Sequence, residues 1–256
     1  MGETTINWTH ESSNPIRFRR KDDGREGWQC IKVSPGCKHC YAEAMNLSTR
    51  ISYGTFLPYD VRSMDMVEPF VHEKELRRLA TSKALTGKKV FIEDMSDLFG
   101  DFIPDQMREE VLGTLFRRSD VTFQVLTKRP QNALKYVFPD HVWFGTSIET
   151  QEQFKKRAAS FMSVSARISF LSVEPMLEPI DLCLSGIDTK RELQVICGGE
   201  SGPKHRPFEL DWARDLLAQC RRGNAAFWMK QIGGYPSKRD NLKDLPEDLR
   251  IREFPQ

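Results

Sequence analysis

Cys30, Cys37 and Cys40 crowd into one short segment of this 256-residue chain, Cys30-Ile31-Lys32-Val33-Ser34-Pro35-Gly36-Cys37-Lys38-His39-Cys40-Tyr41-Ala42-Glu43. Pro35-Gly36 forces a turn that folds Cys30 back toward the other two. The short spacing from Cys37 to Cys40 lets two thiolates face one metal centre. Three thiolates without a fourth nearby suit three irons of a [4Fe–4S] cluster, leaving the remaining iron open to an outside ligand. A structural zinc site is the alternative, but it needs a fourth ligand and favours four cysteines, or three cysteines with one histidine. His39 is adjacent to Cys40 and badly placed for the same tetrahedron, and His10, His72, His141 and His205 are distant in sequence. Thiols without any ligand are the third possibility. Cys183, Cys197 and Cys220 stand apart in apolar surroundings and read as small hydrophobes.

The other residues capable of chemistry recur just after short apolar runs. Val90-Phe91-Ile92 leads to Glu93-Asp94-Met95-Ser96-Asp97, and Thr122 to Leu126 leads to Thr127-Lys128-Arg129. Val142-Trp143-Phe144 leads to Gly145-Thr146-Ser147-Ile148-Glu149, and Ile168 to Leu171 leads to Ser172-Val173-Glu174. Leu193 to Cys197 leads to Gly198-Gly199-Glu200-Ser201-Gly202, and Ala225 to Met229 leads to Lys230-Gln231. Each run is short and rich in β-branched or aromatic residues, which predicts a buried strand.

Helical patterns separate these runs. Pro104 opens one, with Met107, Val111, Leu112, Leu115 and Phe116 on its apolar face. Thr150 to Gln153 matches a capping box, and Glu209 to Arg222 ends at a stopping Gly223. Alternation of this kind predicts an α/β fold with a parallel sheet, six strands after residue 88 and one leading into the cysteines. That count suggests a partial (β/α) barrel, with a flat doubly wound sheet as the alternative. The carboxyl ends of parallel strands form one rim, where sites sit. Small residues there can simply cap helices, but Lys128, Glu174, Glu200 and Lys230 cap nothing obvious. Charges converging on one rim must pair or hold a ligand.

Composition sets the outer bounds. With 39% apolar and 29% charged residues, the chain is an ordinary globular protein rather than a disordered or coiled-coil one. Its 38 basic side chains nearly cancel 36 acidic ones, so no global field marks a nucleic-acid binder. No apolar run approaches the roughly 20 residues needed to span a bilayer, and Met1 to Thr5 lacks the features of a signal peptide. A cytoplasmic protein without membrane contact is expected. No linker divides residues 1–256, which read as one domain with a polar tail at 235–256. A basic segment at 16–29 places Arg17, Arg19, Arg20, Lys21 and Arg25 around Phe18 and Trp28. It reads as a solvated loop, or as a DNA or RNA contact through Arg17, Arg19 and Arg20.

The ordered motifs have a family likeness. Ile6-Asn7-Trp8-Thr9, Asn14-Pro15, the cysteine segment, Leu126 to Pro130, Gly145 to Glu149, Leu171 to Pro175, Gly198 to Gly202, Lys230-Gln231 and Glu253-Phe254-Pro255 resemble a phage-associated family of three-cysteine, radical-SAM-like proteins. The resemblance implies a barrel of the radical S-adenosylmethionine (SAM) type, with Cys30, Cys37 and Cys40 holding the cluster and SAM on its open iron. Asp94 and Ser96 would then meet the SAM amino group. Thr146, Ser147 and Glu149 would meet its ribose or carboxylate, while Gly198 and Gly199 let backbone approach it. Lys128, Arg129, Glu174, Glu200 and Lys230 are left for substrate binding and proton transfer.

Two features depart from most radical SAM enzymes. Six residues, where three are usual, separate Cys30 from Cys37, and His39 stands where an aromatic usually precedes the last cysteine. The expected function is a radical SAM enzyme served by an electron donor, its substrate a small molecule, nucleobase, nucleoside or modified phage DNA base. The alternative is a zinc-stabilised nucleic-acid-binding module without catalysis.

Overall fold

The computed structural model describes residues 4–48, 56–184, 192–202, 204–234 and 239–255. Met1 to Glu3, and residues 235–238 and 256 of the expected tail, lie outside the described residues. In chain order the first strands are β1 (Glu11–Ser13), β2 (Ile16–Arg20), β3 (Glu26–Gly27), β4 (Val67–Val71), β5 (Lys89–Ile92) and β6 (Thr122–Thr127). There follow β7 (Val137–Phe138), β8 (Val142–Ser147), β9 (Ser165–Ala166), β10 (Ile168–Val173), β11 (Glu192–Gly198) and β12 (Ala226–Gln231). The helices are α1 (Tyr41–Asn46), α2 (Val61–Met64), α3 (Glu73–Thr81), α4 (Asp105–Phe116), α5 (Gln151–Ser163) and α6 (Leu210–Arg222).

Seven strands form one sheet in the order β1-β5-β6-β8-β10-β11-β12, every neighbouring pair parallel. The fold is mixed α/β, and the sheet curves into a half-barrel. All six strands expected after residue 88 lie in it; β1 is its seventh strand, but the strand that leads directly into the cysteines, β3, belongs to a separate sheet. The three expected helices are α4, α5 and α6, while α1, α2 and α3 were not anticipated. Thr150 caps α5 by accepting from the Gln153 N–H at 3.3 Å, and Gly223 ends α6.

Alternation along the strands divides the sheet into two apolar faces. The outer one packs Val90, Phe123, Val125, Phe144, Leu171, Val195 and Phe227 against Val111, Leu115, Phe161 and Leu216 of the helices. The inner face carries a separate cluster of Trp8, Phe91, Trp143, Phe170, Ile196 and Trp228, joined by Phe254. Both ends of the chain contribute to this aromatic floor. Trp8 lies against Phe91 and Phe170 with ring centroids 4.8 and 5.6 Å apart, and Phe254 lies 4.7 Å from Trp228. Glu253 secures the tail by pairing with Arg221 at 2.7 Å.

The basic segment is a correction to the solvated-loop expectation. It contains β2 and β3, and β2 pairs antiparallel with β3 and β4 in a separate three-stranded sheet. Phe18, Trp28 and Arg17 are buried, and the Arg17 guanidinium lies over the Trp28 ring. Arg19 pairs with Glu26, and Arg20 pairs with Asp22. The three arginines therefore do not form one accessible phosphate-binding face; apolar Phe18 and Trp28 needed cover, and the strand pairing supplied it. Cys183 also differs from its expected apolar setting, being exposed in a left-handed turn with φ 49°. Among the described residues, no helix is long and apolar enough to cross a membrane.

Asn7 ties the N-terminal segment to the last strand of the sheet. Its Nδ2 donates to the Lys230 carbonyl at 2.9 Å, and its Oδ1 accepts from the Trp228 indole N–H at 3.0 Å. Asn7→Ala should destabilise the protein by roughly 1–3 kcal/mol, because both partners are part-buried and lose a bond. Urea unfolding should show a lower midpoint at an unchanged slope; an unchanged midpoint would mean that the clasp contributes nothing.

Candidate functional site

The cysteine segment leaves β3 and crosses the carboxyl-end rim of the half-barrel. A single 3-10 turn at Pro35–Cys37 reverses it, and α1 begins immediately after Cys40. Cys30 and Cys40 pack against a small cluster of Trp28, Ala42, Tyr59 and Met95. Tyr59 is fixed there by its hydroxyl, which donates to the Met95 carbonyl at 2.6 Å. Asn46 on α1 accepts from the Trp28 N–H at 3.1 Å and donates back to its carbonyl at 3.0 Å.

Rim residues hold this loop down at four points. Ser34 donates its hydroxyl to Glu149 Oε1 at 2.8 Å and lies 3.5 Å from the Cys37 sulfur. His39 Nδ1 lies 2.9 Å from Glu200 Oε2. Arg129 donates to the Ile31 carbonyl at 3.2 Å, and Tyr41 donates to the Asp94 carbonyl at 2.8 Å. Arg206 reinforces the second point, donating to the Pro35 carbonyl at 3.0 Å and pairing with Glu200 at 2.5 Å. Gly36 permits the contact with Glu149, since a β-carbon there would stand 2.4 Å from Glu149 Cγ.

Glu149 is fully buried, and its charge is met from three directions. Arg157 of α5 lies 2.8 Å away, Lys128 at the end of β6 lies 3.2 Å away, and Ser34 completes the set. Burial would raise this carboxyl, but Lys128, Arg157 and Ser34 outweigh it and hold it below its ordinary value. Glu200 shows the same balance, burial opposed by hydrogen bonds from Arg206 and His39. Burial pushes the Cys30 and Cys40 thiols up, with Arg129 opposing it at Cys30 and Lys128 at Cys40. At Cys30 the Asp97 carboxylate adds to the effect of burial, so both thiols are protonated in the absence of a bound metal.

The sequence-derived site residues divide into several groups. Glu149, Glu200, Arg129 and Lys128 surround the cysteine loop, and Glu149 is fully buried with Oε1 taken by Ser34 and Lys128 and Oε2 by Arg157, away from any exposed ribose or carboxylate. Ser96 also serves the loop, donating to the Gln29 carbonyl at 2.6 Å. Thr146 points to the outer face and donates to the Thr127 carbonyl at 2.8 Å, away from the interior where a cofactor was expected. Gly199 is packed on backbone, as a β-carbon there would lie 2.6 Å from the Gly233 nitrogen, so it offers no approach to a ligand. Ser147 is buried on the inner face. Asp94 accepts from Asn14 at 2.6 Å, and burial raises its carboxyl against the bonds from Asn14, Ser12 and Tyr41. Glu174 and Lys230 pair with each other at 2.6 Å.

Several contributors had escaped the sequence reading: Ser34, Tyr41, Asp97, Arg157 and Arg206. Asp97 accepts from Thr127 at 2.7 Å and from Arg129 at 3.0 Å, which orients the guanidinium. Arg157 alone left a usable signal. It interrupts the buried stripe of α5 between Gln153 and Phe161, where a charge requires an inward partner.

Among the described residues, no group of three or more His, Cys, Asp or Glu side chains is assembled as a metal site. The donor set nevertheless fits an iron–sulfur cluster in kind: three half-buried thiols on one loop. For the zinc alternative, Glu200 engages only Nδ1 of His39 and leaves Nε2 free, but His39 is adjacent in sequence to Cys40.

Glu149→Gln should cost roughly 3–5 kcal/mol at pH 7, since Arg157 is left buried without its counter-charge. The folded carboxyl lies below its ordinary 4.5, so its contribution is present above that value and fades as pH falls through the folded one. Urea unfolding of both proteins should therefore give a gap that narrows below pH 4.5. A gap independent of pH would assign the loss to packing rather than charge.

No curated protein and no solved structure matches the chain. A family described as "Protein of unknown function (DUF5131)" matches residues 3–250, spanning the cysteine loop and every strand of the half-barrel. The chain belongs to the DUF5131 family.

Proposed function

We propose that this protein is a radical SAM enzyme of the phage-associated three-cysteine type, acting on a nucleobase, a nucleoside or a modified DNA base. The observation that carries the reading is the anchoring of a three-thiol loop across the carboxyl-end mouth of a parallel half-barrel, by rim residues that face it. Cys30, Cys37 and Cys40 would hold a [4Fe–4S] cluster. When bound, that cluster and SAM would supply reductive, radical chemistry for hydrogen abstraction from the substrate.

The chain's own residues do the positioning. Ser34, His39 and Ile31 fix the loop to Glu149, Glu200 and Arg129, and Lys128 and Arg129 lower the cost of negative charge at the thiols. Asp94 and Ser147 stand near the mouth as polar contacts for SAM. Below them the rings of Trp8, Phe91, Trp143, Phe170 and Trp228 close the interior to water, which suits a reactive radical. Glu174 and Lys230 remain for the substrate. An electron donor completes the system, and a reducing compartment such as the cytoplasm suits both cluster and thiols.

Anaerobic purification should yield brown protein with iron and sulfide in cluster proportion. Cys30→Ala, Cys37→Ala and Cys40→Ala should each abolish the absorption, while Cys183→Ala and Cys220→Ala leave it. Adding SAM to the reduced protein should perturb the electron paramagnetic resonance signal and release 5′-deoxyadenosine and methionine. Colourless protein with one equivalent of zinc would favour the zinc-stabilised nucleic-acid-binding module. A reducible cluster indifferent to SAM would leave an iron–sulfur protein of another kind.

A further inference from the structure

Glu174, Gly198 and Lys230 stand at the carboxyl ends of three adjacent strands, β10, β11 and β12. Alternation places Glu174 and Gly198 on the side of Phe170 and Ile196, the inner face of the half-barrel; a bulge opposite Cys197 and Gly198 makes Lys230 the extra residue of β12, and its contact with Glu174 sets its ammonium on the same side. Lys230 Nζ meets Glu174 Oε2 at 2.6 Å across the middle strand, where Gly198 contributes no side chain. A β-carbon on Gly198 would touch both Glu174 and Gln231, at 3.5 and 3.4 Å. Both charged side chains are mostly withdrawn from water, at 13% and 18% exposure. Unlike Glu149 and Glu200, neither is bonded to the cysteine loop among the described contacts.

The pair is not saturated. A lysine ammonium has three N–H groups and a carboxylate has two acceptor oxygens, while the bond between them uses one N–H and Oε2 alone. Two donors and Glu174 Oε1 thus stand side by side at the mouth of an aromatic-lined interior. A ligand can bond to both without opening the ion pair. The complementary ligand is a flat group that carries a hydrogen-bond donor directly beside an acceptor.

We infer that Glu174 and Lys230 read the Watson–Crick edge of a substrate base, so that the base enters unpaired: as a free nucleoside, from a single strand, or flipped from a duplex. This rests on the nucleobase reading above. Every standard base shows a donor next to an acceptor on that edge. Inside a duplex the same atoms are consumed by the partner base, so an intact base pair offers the two side chains nothing. Charge-assisted bonds at a part-buried site make the match discriminating, because a blocked edge leaves both partners desolvated and unanswered.

Binding of the four deoxynucleosides to the intact protein, followed by ligand-observed nuclear magnetic resonance, tests this without any need for turnover. Each is compared with its analogue methylated at the Watson–Crick ring nitrogen, such as N3-methylthymidine. The nucleoside that binds should lose roughly tenfold or more on methylation. Replacing the side chain that meets that nitrogen should abolish the difference: Glu174→Met for thymidine or deoxyguanosine, whose ring N–H donates, and Lys230→Met for deoxyadenosine or deoxycytidine, whose ring nitrogen accepts. A single-stranded oligonucleotide of the preferred base should outcompete the same sequence in a duplex. Binding that tolerates the methyl group would overturn the edge-reading inference and leave the nucleobase reading intact. If no nucleoside binds, the nucleobase reading falls, and the inference with it. Binding of glycine or methionine in place of nucleosides would reassign the pair to the ammonium and carboxylate of an amino acid. Because methylation alters only the ligand, the test survives even if Lys230→Met fails to fold.

Discussion

A carboxylate with no access to water must find its counter-charges within the protein, and Glu149 finds them on three separate parts of the chain. Arg157 comes from α5, Lys128 from the end of β6 and the Ser34 hydroxyl from the cysteine loop. One buried negative charge therefore joins helix, rim and loop. Removing any one partner leaves the others desolvated, which is why such a group is costly to disturb even though its net contribution to stability is modest. The three cysteines owe their place over the mouth of the half-barrel to this group and to the parallel arrangement of Glu200 with His39 and Arg206.

The interior has a vertical order that follows from the same desolvation argument. Deep between the strands the inner face is aromatic, sealed below by Trp8 and Phe254 from opposite ends of the chain. Two buried glutamines, Gln124 and Gln194, interrupt that face, and most of the charged groups at the strand ends occur in pairs: Lys128 with Glu149, Lys230 with Glu174, Arg129 with Asp97, Arg206 with Glu200. The pairs differ in what they join. Glu149, Glu200 and Arg129 each bond to the cysteine loop, whereas Glu174 and Lys230, on the far strands, bond to each other. A half that holds the loop and a half that does not thus share one rim.

The strand-by-strand pattern from Val90 to Met229 was readable because parallel strands buried on both faces need short, continuous apolar runs, and helices between them need a single apolar stripe. The polar residues that follow each run were readable for the same reason, since the carboxyl ends of parallel strands face one way. The roles of those residues were harder to read. Thr146 and Ser147 are neighbours in sequence, yet the pleat sends one outward to the Thr127 carbonyl and the other inward. Likewise the arginines at 17, 19 and 20 looked like one basic surface. Pairing with β3 and β4 turned Arg17 under Trp28 and left Arg19 and Arg20 beside carboxylates.

By itself the sequence determined the mixed α/β architecture, the parallel sheet, the rim on which polar residues gather, and the clustering of three thiols in one loop. These follow from local spacing and periodicity, which need no knowledge of distant contacts. Only the tertiary structure decided which rim residue meets which partner. Ser34 lies 115 positions from Glu149, and His39 lies 161 positions from Glu200. Pairing at such separations is set by strand order, by register and by the requirement that every buried charge be answered, and no local pattern records it.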